Sequence, residues 1–171
     1  MSTRRHLPIL RETAPAAPGP APAASAEEPP PWHWIPLGTT VSIVGFALLA
    51  QGAAALSVRL LGRVYRPGSS VAEIARQRAA SPGAARFAEL GASAIMVSTL
   101  LLAAAVGGYV VGRRGDRTNA RHGMLSAGLM VLVIWAVTGW QWSLLALVPF
   151  AMAAGHLAAR WGVARRERAT A

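Results

Sequence analysis

Charged side chains are absent from three long stretches of this chain. Residues 35–58 and 90–112 carry none, and residues 123–159 carry none apart from the titratable His156. The first two are 24 and 23 residues long, close to the about 20 helical residues that cross the hydrocarbon core of a bilayer. The third, at 37 residues, would make a helix about 55 Å long, almost twice the thickness of that core, so it must fold back on itself. Gly139-Trp140-Gln141-Trp142 supplies the place: backbone freedom, an amide and two interface-seeking indoles suit a tight turn at a membrane surface. The pattern predicts an all-α, polytopic helical membrane protein with four transmembrane helices, near 35–58, 88–112, 123–139 and 141–161. These form one membrane domain over 35–161, followed by a basic tail, 162–171.

The polar connections are patterned too. Ser70-Val71-Ala72-Glu73 is a capping box, in which the Ser hydroxyl and the Glu carboxylate each take up a free amide at a helix start. Val71, Ile74 and Ala75 follow at helical spacing opposite Arg76 and Arg78, and Ser81-Pro82-Gly83 is expected to end the turn. This reads as a short amphipathic helix in the membrane interface or, equally, as a solvated loop with incidental helicity. Residues 14–31 are nearly all Ala and Pro, a composition that cannot bury enough apolar surface to offset ordering entropy, so residues 1–34 are expected to be a disordered cytoplasmic tail. Arg4-Arg5 lacks the apolar region an export signal needs. The length of the leader and of span 1 argues for a retained helix despite Ala53-Ala54-Ala55.

Composition agrees with a membrane domain. Hydrophobic residues make up 53% of the chain and the mean hydropathy is +0.38. There is no cysteine, which excludes disulfides and cysteine-ligated metals or clusters. All 17 basic residues are arginine and the net charge is +10; an alanine-rich chain without lysine reads as the product of a GC-rich genome rather than as a phosphate-recognition signal. The arginines gather at span ends, which makes lipid headgroups their natural contact: Arg113, Arg114, Arg117 and Arg121 between spans 2 and 3, and Arg160, Arg165 and Arg166 after span 4. With the N-terminus inside, 11 arginines are cytoplasmic and the six of the 1–2 segment are outside. Both termini are therefore assigned to the cytoplasmic side of the inner membrane. Trp32, Trp34, Trp140, Trp142 and Trp161 fall where an aromatic belt belongs, and Trp135 reads as packing within span 3.

Helices in lipid associate by close backbone approach, and the small residues placed for it are Gly45 and Gly52 in span 1, Gly91, Ala92, Ser93 and the Gly108-x-x-x-Gly112 step in span 2, Gly123 and Gly128 in span 3, and Gly155 in span 4. They could seal an internal bundle or join a homo-oligomer. Ionisable groups are missing at depth: every acid lies in a tail, a loop or at a span end, which argues against a carboxylate relay or cation path. Tyr109 and His156 form a possible polar site near the inner headgroups and could hydrogen-bond; Gln51 reads as a tie between two helices. No Gly-x-Ser-x-Gly elbow, His-Glu-x-x-His, phosphate loop or pair of acids on one helix face is present, so no enzyme, catalytic residue, cofactor or metal site is expected. Nucleic-acid binding is not expected either, because the basic residues follow membrane boundaries without interleaved aromatics.

Two resemblances bear on this reading. Gly107-Gly108-Tyr109-Val110-Val111-Gly112-Arg113-Arg114, followed by His122-Gly123, looks like the Gly-Gly-aromatic-x-x-Gly-Arg … His-Gly pattern of small four-span bacterial membrane proteins of uncharacterised function. It covers spans 2 and 3 and implies a four-helix fold without an activity. The run from Gly112 to Arg121 is similar to the loop between spans 2 and 3 of major facilitator transporters: Gly112, Asp116, Arg117 and Arg121 match, while Asn119 replaces a Gly and Ala120 an Arg. That resemblance implies a cytoplasmic loop, although four spans fall short of that family's two six-helix halves. The function these observations favour is a non-enzymatic accessory or scaffold subunit that binds anionic lipids or a membrane partner. The alternative is a small transporter or channel that forms its pathway by oligomerising.

Overall fold

The computed structural model describes residues 31–115, 120–139 and 142–170. The N-terminal tail over 1–30, Asp116, Arg117, Trp140 and Gln141, all named above, lie outside the described residues. A 3-10 turn, Pro31–His33, leads into α1 (Trp34–Leu61), followed by α2 (Val71–Ala80), α3 (Pro82–Arg114), α4 (Ala120–Val137), α5 (Trp142–Leu145) and α6 (Val148–Thr170). Four stretches are long and apolar enough to cross a membrane: α1, α3, α4, and α5 with α6 together. The protein is an all-α, four-span helical membrane protein.

Prolines set several boundaries. Pro82 does not end the turn after α2 but opens α3 at its first position, where a missing N–H leaves no hydrogen bond unmade. Pro149 stands in the first turn of α6 and, having no N–H to donate to the Leu145 carbonyl four residues earlier, separates α6 from α5. Span 4 is thus a short helix and a long one, and the long one continues through 162–170, the expected basic tail. Gly139 has φ +86°, a left-handed conformation that side chains resist, and it ends the α4 segment where the uncharged stretch has to turn. The Ser70 half of the capping box forms, with its hydroxyl accepting from the Glu73 N–H at 3.3 Å.

Close approaches fix the topology. Gly91 lies against Leu60, and Gly107 against Ser42 and Gly38, so α1 and α3 are antiparallel. Gly108 faces Gly155 and Gly112 faces Ala159, so α3 and α6 are parallel; Gly123 meets Ala159 and Gly128 meets Met152, so α4 and α6 are antiparallel. Helices α1 and α6 each pack on both α3 and α4, while α3 and α4 meet across the middle. The centre is built from small side chains, with Ala103, Ala104, Ala127 and Ala151 buried beside Leu100, Met130 and Val131.

In one respect span 1 departs from expectation. A methyl group added at Gly45 or Gly52 would meet nothing within 4 Å, so neither glycine serves packing within the chain. Helix α1 instead turns Gly38, Thr39, Ser42, Ala53 and Ser57 inward, and the heptad of glycines falls on its outward face. Thr39 Oγ1 donates to the Ser126 carbonyl at 3.1 Å and joins α1 to α4.

Candidate functional site

The close contact of α3 and α6 brings a row of polar and aromatic side chains together at one end of the bundle. A side chain at Gly108 would overlap the Gly155 carbonyl, and one at Gly112 would overlap the Ala159 carbonyl. The two backbones therefore run together in a small-x-x-x-small seam on each helix, where van der Waals contact replaces the hydrophobic drive that lipid removes. Gly162 continues the seam, its Cα side lying against the Tyr109 carbonyl and the Arg113 amide. The last turns of α6 are thereby held beside the end of α3.

Two pairs of residues, each spaced i, i+4, meet across this seam. Arg113 Nη1 donates to the Tyr109 hydroxyl at 2.7 Å. The Tyr109 ring lies 5.3 Å from that of Trp161, tilted by 46°, and the Arg165 guanidinium sits 4.7 Å from the Trp161 ring centroid. The order is guanidinium, phenol, indole, guanidinium. Both arginines are exposed at the outer ends of the row, stacked or hydrogen-bonded in a way that pre-positions their remaining donors. Guanidinium groups held like this pair with phosphate oxygens, and Tyr and Trp beside them belong at headgroup depth.

Neighbouring arginines divide in role. Arg166 donates to the carbonyl of Gly115, the residue that caps α3, so one of its N–H groups serves the fold by satisfying the end of a helix. Arg114, Arg121 and Arg160 are exposed around the same end of the bundle, and Arg117 is outside the described residues. A groove beside the row is lined by Tyr109, Val110, Arg113 and Arg114.

Tyr109 and His156 do not pair. Opposed residues of a parallel pair share a level, but each next residue turns by about 100° in the same sense, which carries the two successors to opposite sides of the seam. Tyr109 therefore meets Trp161, and His156 Nδ1 is buried without a partner. Gln51 is exposed on α1 and ties no helices together. Gly155 is expected as a packing residue of span 4; the residues missed from the sequence are Trp161 as a partner of Tyr109 and the seam residues Ala159 and Gly162. The spacing Gly155-x-x-x-Ala159 opposite Gly108-x-x-x-Gly112 is the signal that finds them.

A second polar cluster lies at the opposite end. Glu89 accepts from the Tyr65 hydroxyl at 2.5 Å and from Arg78 Nη2 at 2.7 Å. Gln77 accepts from the Arg66 amide and donates to Ser69 Oγ, both at 3.2 Å. These bonds tie the 62–70 loop and α2 to α3. The hydrogen bond to Glu89 raises the Tyr65 pKa, with desolvation and the nearby carboxylate charge adding to it and Arg78 opposing. The cluster is a structural clamp.

No protein-family model, curated protein or solved structure matches the chain. The functional reading therefore rests on the geometry.

Proposed function

We propose that this protein is a non-enzymatic accessory or scaffold subunit of the inner membrane, and that it binds anionic lipid headgroups at the rim where α3 meets α6. The observation that carries the reading is the row Arg113, Tyr109, Trp161, Arg165, which brings two exposed guanidiniums and two interfacial aromatics together from helices distant in sequence. Supporting it, the polar residues buried as a whole among the described residues, Thr39, Ser42, Ser57 and Ser126, all carry hydroxyls, so they include no charged group that would mark a transport path through the bundle. In this reading both termini and the 2–3 loop are cytoplasmic, and the partner, a lipid or a second membrane protein, is recruited from the inner leaflet.

The test is retention of phosphatidylglycerol against phosphatidylcholine by the purified protein in nanodiscs. Each juxtamembrane arginine contributes about 1 kcal/mol, so Arg113→Gln with Arg165→Gln is expected to weaken phosphatidylglycerol binding by about 30-fold and leave phosphatidylcholine unaffected. Equal retention of phosphatidylglycerol by the wild type and the double variant would overturn the reading.

A further inference from the structure

Helix α1 turns one face to the bundle and leaves the other to the membrane. Along that outer face Ala47, Gln51 and Ala55 follow one another at helical spacing, with Val44 and Leu48 beside them, and all five are exposed. Gln51 does not belong in hydrocarbon. It is within the uncharged stretch 35–58, and Arg59, the first charge beyond it, lies about 12 Å further along the helix. A side chain with two methylenes cannot carry its amide to the headgroups over that distance. No water reaches this depth, and the Gln51 amide makes no hydrogen bond among the described residues, so its polar groups are costly unless something outside the chain meets them. The exposed hydroxyls of Thr40, Ser93 and Thr138 avoid that cost, each donating to the carbonyl four residues earlier in its own helix. Gln51 makes no such return contact.

We propose that this face pairs with the same face of a second copy of the chain, α1 against α1, each Gln51 amide donating to the amide oxygen of the other across a two-fold axis along the membrane normal. The group is self-complementary: one amide supplies both a donor and an acceptor, so two related by a two-fold rotation satisfy each other. Copies inserted in one orientation carry Gln51 at one depth, which brings the two amides level without adjustment. Ala47 and Ala55, about one turn to either side, let the two backbones come close enough for the amides to meet. An acyl chain offers no hydrogen-bond partner at this level, and an unrelated protein would need a polar group of its own there. Gly45 and Gly52 lie more than a quarter turn round the helix from the line of Ala47, Gln51 and Ala55, so the contact does not depend on them. Helix α1 lies across the α3–α4 pair from α6, and pairing through it leaves both arginine rims free.

The experiment is disulfide cross-linking of single-cysteine variants of the full-length protein in phosphatidylcholine vesicles, oxidised with copper phenanthroline and read as a band of twice the 17.8 kDa of one chain. Val44→Cys and Ala55→Cys are expected to cross-link. Leu49→Cys, exposed on nearly the opposite side of α1, and Leu132→Cys, exposed on α4, are not. Adding Gln51→Leu to Ala55→Cys should raise the protein-to-lipid ratio needed for half-maximal cross-linking by about tenfold, the effect of losing two interhelical hydrogen bonds. That substitution puts an apolar side chain on a lipid-facing surface and leaves the packing within the bundle untouched. Arg113→Gln with Arg165→Gln should leave the ratio unchanged, which separates this contact from lipid binding at the rim. Equal cross-linking at all four positions would show random collision and overturn the proposal. So would the absence of a dimer at Val44 and Ala55, a preference for Leu49 or Leu132, or a ratio that Gln51→Leu does not move.

Discussion

A glycine in this bundle matters according to what its missing side chain makes room for. At Gly108 and Gly112 the space is taken by the backbone carbonyls of Gly155 and Ala159, which cannot rotate away. Gly108→Leu or Gly112→Leu is therefore expected to separate α3 from α6, at a cost toward the upper end of the about 1–3 kcal/mol seen for overpacking. Gly45→Leu and Gly52→Leu, facing open space, should fall within about 0.5 kcal/mol of the wild type. Thermal unfolding in detergent checks all four; equal losses at both pairs would contradict the assignment of the seam. Ser42 gives the converse case. Its hydroxyl is fully buried against Gly107 and has no partner, so Ser42→Ala should be neutral or stabilising in the same measurement, since it removes an unmet polar atom. All four glycines are identical at the level of composition. Spacing alone marks Gly108 and Gly112 and Gly45 and Gly52 alike, because it does not say which helix face has a partner.

Among the elements, those defined by local chemistry are legible in the sequence. The uncharged stretches gave the four spans, Ser70 and Glu73 the start of α2, and Gly139 the turn within the 37-residue run. Tertiary contacts were not legible. Tyr65, Arg78 and Glu89 are separated by up to 24 residues, and nothing in their spacing announces that one carboxylate will join loop, α2 and α3. That clamp carries a pH dependence whose sign follows from Tyr65. Its pKa is raised in the folded state above the ordinary value of 10.0, so the folded form favours the protonated phenol. The contribution is complete below pH 10 and is lost as pH rises through the folded-state value, because a phenolate cannot donate to Glu89 and is repelled by it. Amide hydrogen exchange over 62–80 should accelerate more between pH 9 and pH 11 in the wild type than in Tyr65→Phe, after correction for the intrinsic rate. Parallel curves for the two proteins would show that Tyr65 contributes nothing to holding α2.

For the whole molecule, the consequential fact is that α3 and α4, although consecutive spans, are not each other's main neighbours. Helix α3 packs more extensively on α1 and α6 than on α4, and the parallel α3–α6 pair places Arg113 and Arg165 on one rim although 51 residues separate the two ends joined by Arg166 and Gly115. The bundle also sorts its charge. One end carries Arg113, Arg114, Arg121, Arg160 and the α6 extension, and the other carries Arg59, Arg63, Arg66 and the α2 segment, where Arg78 is held by Glu89. The proposed orientation puts the first end in the cytoplasm, following the bias of 11 arginines to six, because basic segments close to span ends resist translocation. The chain contains no cysteine, so one introduced residue reports its own side without background. Ala79 and Ala169 are exposed at opposite ends. In intact cells a membrane-impermeant maleimide should label Ala79→Cys and reach Ala169→Cys only after permeabilisation. The reverse pattern would invert the orientation and move the arginine rim to the outer leaflet. Labelling of both from outside would be incompatible with an odd number of spans between positions 79 and 169, and therefore with the bundle described.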